Sequence, residues 1–109
     1  MQVTTTFGID GYEVAEHKGL VRGSVVRSPT IAQGILGGLK NIIGGSIGAY
    51  TEMCEQAREE AYELMIAHAQ ALGADAVLGT RYDASSVEMR TGAVEVLCYG
   101  TAVILRRKA

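Results

Sequence analysis

Four side chains in this sequence can offer soft or borderline metal-ligand chemistry: Cys54, Cys98, His17 and His68. Thiolate sulfur and imidazole nitrogen are the donors preferred by zinc and softer ions, so the cofactor these residues point to is a soft divalent metal. Their spacing forms no CxxC, HxxxH or CxxH pair. On one helix, 14 residues between Cys54 and His68 place their Cα atoms about 21 Å apart along the axis, too far to share an ion within one chain. Cys98 can approach only one of them. A complete site therefore needs carboxylates or other copies of the chain, and cyclic symmetry would supply them as a ring of ligands near the axis. The competing reading of each thiol is a small buried hydrophobe. That of His68, on an apolar stripe, is a core or interface residue; that of His17, between Glu16 and Lys18, is a half-wet strand residue.

A second constellation, Gly44-Gly45-Ser46-Ile47-Gly48, precedes a long helical pattern. Backbone N–H groups at a helix start can hold an anion or a small phosphorylated ligand, which makes Gly44, Gly45, Ser46 and Gly48 candidate ligand-binding residues. The loop lacks the Lys-Ser/Thr ending of a P-loop and is not GxGxxG. Glu52, expected in the first helical turn, would oppose an anion, and a tight glycine turn accounts for the same residues. No nucleophile has a base at a known motif spacing, and neither GxSxG nor HExxH occurs. Glu59 and Glu63 form an i, i+4 carboxylate pair of the kind usually found on a solvated helix face. The chain reads as non-catalytic.

Length and composition narrow the classes further. The 109 residues fit one domain, 1–109, and 48% apolar with 20% charged residues describes a folding chain rather than a disordered one. A net charge of -2 supplies no field for phosphate backbones, so nucleic acid is not expected as a partner. Residues 31–50 are apolar over roughly the length of a membrane span, but Lys40 and Asn41 fall at the centre, so no membrane partner is expected either. The first residues show no positive or apolar signal region, which points to the cytoplasm, where two cysteines stay reduced.

The elements that must position these residues follow from periodicity. Val3 to Thr6 suggests a short strand before a turn over residues 8–11, and Tyr12 to Arg27 suggests one or two strands bent at glycines. Thr30 is an N-cap for a helix to about Ile43, with Ile31, Ile35, Leu39 and Ile42 in one stripe and Gly34, Gly37 and Gly38 opposite. A second helix is predicted from about Ala49 or Tyr50 to Leu72. Tyr50, Cys54, Ala57, Ala61, Leu64 or Met65, His68 and Leu72 form its apolar side, and Gly73 stops it. Ala76 to Tyr82 and Val94 to Leu105 read as strands separated by a polar stretch from Asp83 to Gly92. The last strand is apolar on both faces, which calls for cover from another chain or for a central position in the sheet. The basic end, Arg106-Arg107-Lys108, reads as a solvated tail that keeps this strand from pairing with strangers.

Several short motifs occur in a fixed order: Thr4-Thr5-Thr6, Gly19-Leu20-Val21-Arg22-Gly23, Gly44-Gly45 with Gly48-Ala49-Tyr50, Ala57-Arg58-Glu59, residues 71–77, and Gly100-Thr101-Ala102-Val103. By these the chain resembles, over nearly its whole length, the YbjQ-type family of small bacterial proteins associated with heavy-metal binding. The resemblance implies a dodecin-like α+β subunit, two-layered, with an antiparallel sheet packed on helices. It also implies a ring-shaped homo-oligomer, a pentamer in the family pattern, acting as a non-catalytic binding or scaffold protein. Ser24 and Ser46 stand where the family pattern usually has Glu and Arg, and His17 where it more often has tyrosine.

Overall fold

The computed structural model describes residues 1–29, 47–88 and 90–109. Strands β1 (Gln2–Val3), β2 (Tyr12–Arg27), β3 (Ala76–Glu88) and β4 (Ala93–Arg107) form one sheet in the order β1-β3-β4-β2, and helix α1 (Ile47–Ala71) packs on one face of it. The class is α+β in two layers, as the sequence implies. The three long strands are antiparallel, while the two-residue β1 runs parallel to β3, so the sheet is mixed. The helix predicted from Thr30 lies outside the described residues.

Strand β2 is continuous for 16 residues and absorbs its glycines in two different ways. Gly19 adopts φ 110° where the register against β4 shifts, so it is a bulge that bends the strand. Gly23 is needed for space. A Cβ there would lie 2.1 Å from the Ala61 carbonyl oxygen and 2.7 Å from both Leu64 Cβ and the Met65 nitrogen. The missing side chain lets α1 rest directly on the backbone of β2.

Helix α1 turns Ala57, Ala61, Met65 and Ala69 inward at a spacing of four. They meet Val21 and Val25 of β2, Val77 of β3, and Val96, Cys98 and Ala102 of β4. Small residues on the helix set a close approach; Met65 and the valines fill the space that remains. The helix ends in a Schellman arrangement, with Gly73 at φ 78° donating to the Gln70 carbonyl and Ala74 donating to that of Ala69. It starts at Ile47, which moves Glu52 into the second turn.

The predicted polar spacer is a correction: β3 continues through it to Glu88, pairing Asp83, Ala84, Ser85 and Ser86 with β4. Ladder hydrogen bonds satisfy the backbone there, and polarity reports only that residues 81–87 are all exposed. The early strand is also shorter than expected. Beyond Val3 the chain stays on β3 through irregular backbone bonds, Thr4 donating to Val77 and Thr6 accepting from Gly79, while the Thr4 and Thr6 hydroxyls bond to each other and Thr6 Oγ1 donates to the Gly8 carbonyl. The basic end is exposed, as expected; β4 is central over most of its length, but its pairing with β3 begins at Val103, so residues 104–107 pair with β2 alone, where Arg106 bonds Glu13 and Arg107 lies over the Tyr12 ring.

The two faces of the sheet differ in cover. Ala76, Leu78 and Val103 are buried on the face away from α1, where Ile9, Val14 and Leu105 pack around them. Farther along the same face, Leu20 and Val26 are 64% and 56% exposed and Leu97 and Tyr99 are half-buried. Replacing Gly23 by alanine should cost about 1–3 kcal/mol or more through overpacking. Gly8→Ala, where an added Cβ meets nothing within 4 Å, should cost far less in the same urea titration.

Candidate functional site

The register pairs Gly23 with Cys98 on β2 and β4, and pairs Tyr82 of β3 with the same cysteine. Cys98 therefore sits mid-sheet under α1, fully buried, and its Sγ donates to Met65 Sδ at 3.7 Å. The Tyr82 hydroxyl, on a side chain 49% exposed, comes within hydrogen-bonding reach of the thiol from the solvent side. Burial pushes the Cys98 thiol above its ordinary value, and the Tyr82 hydroxyl only partly offsets this. Burial likewise raises Tyr82, helped by the neighbouring thiol. The pair is held neutral.

The other candidate ligands are spread out. Cys54 is half-buried in the N-terminal half of α1. His17 is exposed near the β2 bulge. His68 is exposed at the margin of the buried stripe, one position short of Ala69, and its Nδ1 accepts the Arg22 backbone N–H at 3.2 Å. In the neutral ring this puts the proton on Nε2. Because β2 is an edge strand, this bond satisfies an N–H that has no strand partner. Among the described residues, no three His, Cys, Asp or Glu side chains come together in a group able to hold an ion.

The glycine-loop candidate is only partly in view. Gly44, Gly45 and Ser46 lie outside the described residues, and Gly48 lies inside the first turn of α1 rather than in a loop before it. Glu59 and Glu63 line an open depression with Gln56, Glu60 and Arg27, where Arg27 pairs with Glu60 at 2.6 Å. The surroundings are wet, so this pair contributes little to stability. The participant that sequence reasoning missed is Met65 as a second sulfur beside Cys98. Its spacing of four from Ala61 and Ala69 announces burial, but the strand register that brings Cys98 beneath it does not follow from local pattern.

A family described as putative heavy-metal-binding, the YbjQ family, matches residues 1–106. The chain belongs to this family. A UPF0145 protein of Legionella pneumophila strain Philadelphia 1 is 57% identical over 105 residues, covering 96% of this chain and 98% of its own length. One from Francisella philomiragia is 54% identical over 106 residues, covering 97% and 100%. Among solved structures, a protein of unknown function from Pediococcus pentosaceus, of the DUF74 family, aligns with a TM-score of 0.60 over 97% of this chain and 98% of its own. At 20% identity that likeness speaks for the fold alone.

Two outcomes follow for the thiols. With a thiol-reactive dye under native conditions, Cys54 should react promptly and Cys98 only after denaturation, so Cys54→Ser should abolish the fast phase. Cys98 should also make stability depend on pH. Its folded value is raised, so its contribution is complete below the ordinary value near 9.0 and is lost as pH rises through the folded value. Chemical denaturation across this range should show unfolding free energy falling in the wild type and falling less steeply in Cys98→Ala.

Proposed function

We propose that the protein is a self-associating, non-catalytic binding or scaffold protein of the cytoplasm that takes up heavy metal. The observation that carries self-association is the sheet face away from α1. Among the described residues, Leu20 and Val26 on the edge strand are exposed there and Leu97 and Tyr99, paired with Ser24 and Arg22 between them, are half-buried, so apolar and polar side chains share a face that no described element covers. Its shape points the same way. The Cα radius of gyration is 17.5 Å and the extents are 61 × 22 × 20 Å, whereas a compact chain of this length has a radius near 13 Å.

Two different edges remain on the sheet: β2 on one side and, beyond the short β1, the 81–87 part of β3 on the other. Joining unlike edges is a head-to-tail contact, which closes into a ring when the rotation permits. The ring, five-membered in the family pattern, suits these edges. The metal part of the reading rests on family membership and on the sulfur and imidazole donors this chain carries. The glycine-loop alternative, a small-ligand or anion-binding module, has only Gly48 among the described residues, in the first turn of α1.

Glutamates substituted at Leu20 and Val26 together should break the assembly without unfolding the chain, because both side chains are exposed in a single copy. Sedimentation velocity should show one slower species with unchanged circular dichroism; an unchanged sedimentation coefficient would contradict the assigned face. Protein purified without chelator, analysed for metals and then titrated with soft cations, should bind at least one ion per chain. Absence of any uptake would remove the metal part of the proposal.

A further inference from the structure

We propose that Cys98 and Met65 form a two-sulfur site for a soft, thiophilic ion of the Cu(I) or Ag(I) class. The inference rests on the metal-binding reading above and assigns it to a place. Thiolate with thioether is the donor set that selects Cu(I) among biological ions. Metal–sulfur bonds are about 2.3 Å long for thiolates, so two sulfurs 3.7 Å apart are within reach of one ion. Both side chains are fully buried. The surrounding valines and alanines would exclude hard, strongly hydrated ions, and nothing there offers the carboxylate or carbonyl set those ions need.

Access is from the β3 side. Helix α1 lies mainly over β2 and β4 and scarcely touches β3, so on that flank Tyr82 of β3, paired with Cys98, and Tyr62 of α1, packed on the same core, stand between the thiol and solvent. Movement of these rings, of which Tyr82 is half-exposed, would admit an ion. On uptake the S–H bond of Cys98 breaks, its proton passes to solvent, and the sulfur lone pair bonds the ion. Met65 Sδ donates a second pair, and no electron is transferred. One proton is released for each ion bound, so apparent affinity should rise about tenfold per pH unit below the thiol's own titration.

The test is titration of the full-length protein with Ag(I), and with Cu(I) under anaerobic conditions, against a competing chelator, read by the ultraviolet thiolate-to-metal band. One equivalent per chain is expected in the wild type and in Cys54→Ser, with none in Cys98→Ser. The near-isosteric Met65→Leu should keep the fold and weaken affinity by roughly tenfold or more, at least what loss of an outer-shell partner costs elsewhere. It carries the test if Cys98→Ser fails to fold. Wild-type affinity in Met65→Leu, or a band that disappears only in Cys54→Ser, overturns this site while leaving metal binding intact. No uptake of Ag(I) or Cu(I) in the wild type at any pH overturns this site, and the metal reading falls with it only if soft divalent cations also fail to bind.

Discussion

One helix shelters one face of this sheet, and much of what the described residues show follows from how closely it does so. The contact is set at Gly23, where an absent side chain lets the Ala61 turn of α1 settle on the backbone of β2. That approach brings Met65 down onto Cys98 and draws His68 over the rim of the edge strand to accept the Arg22 N–H. It also limits what the helix can reach. Its 25 residues span about 38 Å, whereas the 15 residues of β4 extend over about 50 Å, so one layer is shorter than the other.

The shortfall has chemical consequences. Where α1 covers the sheet, the Cys98 thiol is neutral and donates to the Met65 thioether, with burial raising its titration. Where cover is missing, charged and apolar side chains alternate at the surface, with Ser24 bonded to Glu95 beside the exposed Leu20 and Val26. A solitary protomer would leave this strip in water at a cost of about 25 cal/mol for each Å2 of apolar area. The proposed self-association would cover it by setting the β2 edge of one copy against the β3 edge of the next.

Local pattern made α1 and the long strands legible, because periods of 3.6 and 2 are written in side-chain burial. Ala57, Ala61 and Met65 fall where the helical stripe places them, whereas His68 stands beside the buried row and Ala69 takes its place. Residues 83–86 misled because exposed strand and loop share polar composition, and only pairing with β4 separates them. Arg106 and Arg107 are exposed, as their charge suggests, whereas the central place of β4 between β3 and β2 depends on topology. The sulfur pair was invisible since it joins a helix residue to a strand residue 33 positions later, a separation no motif encodes. Soft donors were recognisable by type; which of them meet was decided by register.

Self-association is the proposal that most needs testing: that other copies of this chain cover the sheet face left exposed among the described residues. Native mass spectrometry at micromolar concentration addresses it directly. A particle at an integer multiple of 11.5 kDa is the result this account requires. A stable species at the mass of one chain, unchanged as concentration rises, would contradict it.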